Sequence, residues 1–225
     1  LRSCGVPGLL AEQFSELRRS SKGIALWNAF TQPLCFFMDG INLSLSHFDE
    51  LAEDEGYAAA IQTPLDEMLS SHQVKRLFRK FDVSLFPRFR SLLRRLFAWR
   101  LETEQPDGVM LNLDPMIMDN DGAKKREGVE PTYKNVKGFL SFQVSWGPYL
   151  VDAILRGGST NGNHGNTVVN ALKRLTGLIR DCLGKEVPIV VLMDAGFMDQ
   201  KIFDRLEEMD VGYIVTGKLY DDTRT

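Results

Sequence analysis

Residues 187–197 read V-P-I-V-V-L-M-D-A-G-F, and the fold turns on what that stretch becomes. Positions 189–193 form an unbroken apolar run rich in β-branched residues, with Pro188 at the entrance. This pattern suits a strand buried on both faces, in a sheet covered by helices. Asp194 ends the run, the small pair Ala195-Gly196 follows, and a helical pattern resumes at Asp199 through Ile202, Phe203, Leu206 and Met209. An acid at the carboxyl end of a central strand stands where open α/β sheets place their ligands.

A second stretch repeats the arrangement. Positions 109–113 (V-M-L-N-L) read as a buried strand, closed by Asp114 and then Pro115. Two strand-end carboxylates this far apart in sequence meet only if their strands are sheet neighbours. Two anions brought together in a partly dry site raise each other's pKa, share a proton or bind a divalent cation. Ligation by oxygen alone suits Mg²⁺ or Mn²⁺ rather than zinc. The plainer reading makes each Asp a turn residue or helix cap.

The composition is that of an ordinary globular protein: 225 residues, 44% hydrophobic, 25% charged, net charge −3. No apolar run approaches the roughly 20 residues that span a bilayer. The three cysteines, Cys4, Cys35 and Cys182, lack zinc spacing, and no secretory leader is evident. A reducing, cytoplasmic setting is the expectation. The chain opens on Leu1 and closes at Thr225 just after a strand-like run, as expected of a piece of a longer protein. Charge is unevenly spread: nine basic residues lie between Lys75 and Arg100 against one acid, Asp82. Such asymmetry points to a local anionic partner.

The first half reads as helical. Positions 24–48 carry Trp27, Phe30, Phe36, Phe37 and Phe48, broken by Pro33 and Gly40, and read as core. His47 lacks a metal partner at helical spacing. Thr63-Pro64-Leu65-Asp66-Glu67 has the form of a helix start, with Thr63 as the cap. Ser71 then caps a second helix, with Val74, Leu77, Phe78 and Phe81 on one face and Lys75, Arg76, Arg79 and Lys80 on the other. Two short helices, the second basic, outline a helix-turn-helix. Positions 86–99 add another basic amphipathic segment, carrying Arg90 and Arg94. Each added cation strengthens phosphate binding, although a solvated face is the commoner fate of such helices.

Positions 102–108 are polar, hold Pro106 and Gly108, and mark the expected domain boundary: a helical region over 1–108 and an α/β domain over 109–225. Strands are expected at 109–118, 139–146 and 149–155, with Gly147-Pro148 making a hairpin of the last two. A Gly/Asn-rich loop containing His164 precedes a helix over 167–183. The 187 strand, a helix from 199 and a strand at 211–215 complete the order β-β-β-α-β-α-β.

That order, with acids ending the first and fourth strands, is the layout of the ribonuclease-H-like fold. With the local sequence added, the chain resembles bacterial insertion-sequence transposases with a DDE catalytic domain. The resemblance rests on L-N-L-D-P-M (111–116), K-K-R-E-G (124–128) with Tyr133 and Lys137-Gly138, L-R-G-G-S-T-N-G-N (155–163), M-D-A-G-F (193–197) and G-Y-I-V-T-G-K-L (212–219). The basic helical half is similar to that group's DNA-binding region. The resemblance places the first two catalytic, metal-binding acids on Asp114 and Asp194. Met116 and Ala195 depart from residues common in the family. The family's third acid, a Glu, belongs beyond the last strand, where this sequence offers no match.

The resemblance implies Mg²⁺- or Mn²⁺-dependent cleavage and strand transfer on double-stranded DNA at the terminal inverted repeats of a mobile element. It also implies a homodimeric synaptic complex, a bacterial cytoplasm and association with the nucleoid. Lys124, Lys125, Arg126 and Lys218 join the helical cations as expected DNA-backbone contacts. Two rivals stand beside it. A haloacid-dehalogenase-like phosphatase needs D-x-D, and the triplet here is Asn112-Leu113-Asp114. A non-enzymatic DNA-binding remnant needs only the helical half.

Overall fold

Phe14, Phe30, Phe81 and Phe89 are scattered in sequence, yet their rings meet, with the Phe14–Phe89 centroids 4.4 Å apart and Phe14–Phe81 at 5.3 Å. This cluster organises the first of two compact units, Leu1–Leu92; the second is Leu93–Thr225. The computed structural model describes residues 5–18, 22–42, 44–122, 128–160 and 164–217. Among these, no helix is long and apolar enough to cross a membrane.

The first unit is helical: α1 (Val6–Gln13), α2 (Leu26–Asp39), α3 (Leu45–Ala52), α4 (Glu55–Ala60), α5 (Ser71–Phe78) and the opening turns of α6 (Phe86–Glu104). Pro33 does not break α2, which continues to Gly40 in the left-handed region. Buried side-chain bonds tie α2 to the segment after α4. Gln32 donates to the Glu67 carbonyl (2.9 Å) and accepts from the Leu69 N–H (2.7 Å), while Asn28 donates to the Glu67 carboxylate (2.9 Å). These tertiary bonds hold the helix across a residue that supplies no N–H.

The same network overturns the helix-turn-helix expectation. Thr63 is buried and donates its hydroxyl to Asn28 (3.0 Å) instead of capping a helix. Residues Leu65–Glu67 form a single 3-10 turn, so α5 lacks the first helix of that motif. The cap of α5 is Ser70, in a reciprocal box with Gln73. Ser71, the expected cap, is held by the Asp49 carboxylate through both its N–H and its hydroxyl (2.6 Å each).

The second unit carries a mixed sheet: β1 (Val109–Asp119), β2 (Glu130–Pro131), β3 (Lys137–Trp146), β4 (Tyr149–Ile154), α7 (Thr167–Leu183), β5 (Ile189–Met193), α8 (Gln200–Glu208) and β6 (Gly212–Val215). Strand β1 is central, antiparallel to β3 and parallel to β5, which is parallel to β6. Short β2 and longer β4 share the outer edge of β3. Three antiparallel strands followed by two parallel ones give the ribonuclease-H-like sheet. Only the two-residue β2 was absent from the expected order.

Leu111, Leu113, Val191 and Met193 point from the sheet into one core with Leu172, Leu175 and Ile179 of α7 and Ile202 and Leu206 of α8. Each fully buried Leu or Ile contributes about 1.5–3 kcal/mol. Phe97 and Leu101 of α6 join this core, and the second unit begins inside that helix, at Leu93. The expectation of strands covered on both faces does not hold for β1. Val109, Leu111 and Leu113 are buried, while Met110 is 51% exposed and Met116 46%. Among the described residues, helices cover one face.

Candidate active site

Leu113 pairs with Met193 as the last register pair of the parallel β1–β5 ladder. The next residue on each chain is an acid. Asp114 and Asp194 therefore leave neighbouring strands at the same level, where adjacent strands lie about 4.8 Å apart. Side chains alternate along a strand, and both acids have the parity opposite to the buried Leu113 and Met193. Asp114 is not the end of its strand, as its sequence suggested. Strand β1 continues past it through Pro115, paired with β3 alone, so the missing proline N–H breaks no ladder on the open side.

Both acids line one cleft of about 290 Å³, with Asn112, Leu192, Ile214 and Thr216. The Asp194 Oδ1 accepts from the Gly196 N–H (2.9 Å), capping the 3-10 turn Ala195–Phe197. Phe197 anchors that turn in the core, edge-on to Phe142 with centroids 5.7 Å apart. A Cβ at position 196 would lie 3.0 Å from the Asp194 Oδ1, so glycine leaves the carboxylate its place. The Thr216 N–H donates to the Met193 carbonyl (3.1 Å) and fixes the far wall.

Among the described residues, no basic side chain lines this cleft. Two exposed carboxylates on neighbouring strands at one level repel, a repulsion that water weakens. A hard divalent cation would relieve that repulsion, and Asp114, Asp194 and the Asn112 amide offer it only oxygen. Two carboxylates are fewer than such sites ordinarily gather. Among the described residues, no group of three His, Cys, Asp or Glu is placed to hold a metal.

The cations singled out by sequence fall into different settings. Lys75, Arg76, Arg79 and Lys80 are exposed along α5 and its carboxyl end, and the Lys80 Nζ donates to the Leu17 carbonyl (2.8 Å). Arg90 is half-buried on α6. Arg94 stands 3.6 Å from the fully buried Asp152, which gives it a structural partner. Lys124, Lys125, Arg126 and Lys218 lie outside the described residues. His47 pairs with Glu50 (2.7 Å).

Gly138, on β3, and Gly158, after β4, are packing positions. A Cβ on Gly138 would overlap the Met118 carbonyl, and one on Gly158 would overlap the carbonyl of Glu130. The Ser159 hydroxyl donates to the Glu130 carboxylate and holds its pKa below the usual range. Arg156 is buried with its guanidinium 5.6 Å from the centre of the Phe142 ring, and desolvation lowers its pKa.

Sequence reading missed Asn112, Ile214 and Thr216. Asn112 was within reach, two residues before Asp114 and so on the same strand face. The other two depend on β6 lying beside β5.

No protein-family model matches the chain, and no curated protein does. Among solved structures it is similar to the catalytic domain of Mos1 mariner transposase at 12% identity and TM-score 0.35, covering 59% of this chain and 60% of that one. It is similar to piggyBac transposase in a synaptic complex with hairpin DNA at 16% identity and TM-score 0.43, covering 97% and 49%. The Mos1 mariner paired-end complex with Mn matches at 12% and 0.33, covering 94% and 72%. The chain thus spans 60% and 49% of the first two. Likeness at this level fixes neither residue correspondence nor activity.

Proposed function

We propose that the chain is part of a DNA transposase of the insertion-sequence type, with a metal-dependent phosphoryl-transfer site at Asp114 and Asp194. The supporting observation is the register of β1 against β5, which sets these acids side by side in one cleft. Bound there, Mg²⁺ or Mn²⁺ would activate a water or 3′-hydroxyl and stabilise the leaving oxygen on DNA. Asp114, on the central strand, and Asp194, with one oxygen tied to Gly196, would hold the ion. The reading calls for one more carboxylate, which none of the described residues supplies to the pair. The cations of α5 would hold duplex DNA by its phosphates.

The test is Mn²⁺ titration by electron paramagnetic resonance, alongside cleavage of duplex DNA carrying the element's ends. Mn²⁺ should bind weakly to the chain, and Asp114→Asn and Asp194→Asn should each weaken it by at least about 10-fold, since losing even a metal's outer-shell partner costs 10–100-fold. Unchanged Mn²⁺ binding in both variants removes the active-site assignment. Retained DNA binding with no cleavage in a protein that carries the third acid leaves the non-enzymatic reading.

A further inference from the structure

Asp114 has a neighbour on each side. Towards β5 it is Asp194; towards β3 it is Gln143, directly opposite in the antiparallel register. Residues paired in this way share a face of the sheet, with Cβ atoms about 4.5–5.5 Å apart. The flanking pairs are Leu113 with Val144 and Pro115 with Phe142, and Leu113, Val144 and Phe142 turn into the core. Gln143 and Asp114 therefore project together from the opposite face, where Gln143 is half-buried and Asp114 exposed.

A carboxylate next to an amide ordinarily takes its N–H. Here the Gln143 Nε2 donates to the Met116 Sδ (3.1 Å), one outward-facing position further along β1. Asp114 accepts no hydrogen bond from the described residues. A thioether is a weak acceptor, so the amide is held across the strands by a bond that is easily exchanged. A charged oxygen takes a hydrogen bond roughly twice as strong as a neutral one. An anion drawn to a cation at Asp114 would win the amide from Met116. The side chain already lies ordered beside the acid, so little further freedom is lost on binding.

We infer that Gln143 is a substrate-positioning residue, whose side-chain amide donates to a non-bridging oxygen of the phosphodiester that reacts at Asp114 and Asp194. The inference rests on the metal-dependent reading of those acids and adds the residue that orients the substrate there. A neutral amide suits the place: it offers the phosphate a donor and brings no positive charge to compete with a divalent cation for the carboxylates. Gln143 stands outside the cleft that the two acids line with Thr216. The phosphodiester is thereby set on the β3 side of Asp114, over the uncovered face of the sheet.

The experiment uses the 225-residue chain, Mn²⁺ and the thymidine dinucleotide, which carries one phosphodiester. Electron paramagnetic resonance gives the Mn²⁺ affinity. Phosphorus-31 relaxation by chain-bound Mn²⁺ gives the affinity of the dinucleotide at the ion. Gln143→Met keeps the side chain's length and removes the donor. It should leave Mn²⁺ affinity within about twofold of wild type and weaken the dinucleotide about 10-fold, the size of one hydrogen bond to a charged group. Gln143→Lys, which returns a donor, should restore dinucleotide binding. An unchanged dinucleotide affinity in Gln143→Met overturns the inference and leaves the metal site standing, as does a wild-type chain that binds Mn²⁺ but not the dinucleotide. Mn²⁺ affinity that falls together with the dinucleotide makes Gln143 a metal ligand through its carbonyl oxygen and overturns the positioning role. A chain that binds no Mn²⁺ defeats the metal reading and this inference together.

Discussion

Asp152 and Asp114 are both strand acids of one sheet, and their surroundings are opposites. Asp152, on β4, is fully buried, faces Arg94 at 3.6 Å and accepts from the Ala153 N–H (3.0 Å). Asp114, on β1, is exposed and lines a cleft beside another carboxylate, with no basic side chain in that cleft among the described residues. A charge answered from within the chain is part of the fold. A charge set beside its like does nothing for the fold and is left for a cation to answer. Glu130 stands between the two: it is half-buried, and the Ser159 hydroxyl and N–H hold its carboxylate form.

The largest effect separating these acids should come from Arg94→Met. Removing one member of a buried pair strands the other charge, and the loss is about 3–5 kcal/mol, read as a lower urea midpoint at unchanged slope. A shift below 1 kcal/mol would mean that Asp152 does not depend on Arg94, and the contrast with Asp114 would weaken. Next in size, Asp114→Asn should cost the Mn²⁺ affinity at least about 1.4 kcal/mol, the equivalent of tenfold, in the titration described above. Its effect on folding sharpens the comparison further. The same variant should leave the urea midpoint within about 0.5 kcal/mol of wild type, because the exposed carboxylate supports no packing. A large destabilisation would make Asp114 a structural acid like Asp152.

The smallest effect concerns Glu130. Its lowered pKa means that the folded protein favours the carboxylate. The resulting stability is present above the ordinary Glu range, about 4.3, and is lost as the pH falls through the lowered native value. Ser159→Ala should raise the Glu130 pKa toward its usual value, followed by NMR of the side-chain carboxyl. The variant should melt slightly below wild type at neutral pH and together with it in acid. A Glu130 titration unmoved by the substitution would remove Ser159 as the cause.

Much of this arrangement was legible before any coordinates. The β-branched run at 189–193 and the apolar run from 109 gave two strands with acids at matching places, and the order of elements gave the sheet. The helix over 167–183 was readable from its apolar spacing. What stayed hidden was tertiary in origin. Thr63 and Pro64 have the local chemistry of a helix start, but the buried amides of Asn28 and Gln32 claim that segment. Nothing local marks Arg94 as the partner of Asp152, because the pair spans α6 and β4. The apolar run of β1 looked buried on both faces, yet periodicity reports hydrophobicity and leaves open which side a helix covers.

The sequence by itself determined the kinds of element, their order and the two carboxylates, because periodicity and turn residues act over a few neighbours at a time. Tertiary structure alone decided that Leu113 and Met193 share a register, that Gln143 stands opposite Asp114, and that Arg94 is tied to Asp152. Each of those joins residues far apart in the chain, and only the packing of whole elements around two cores brings them within reach.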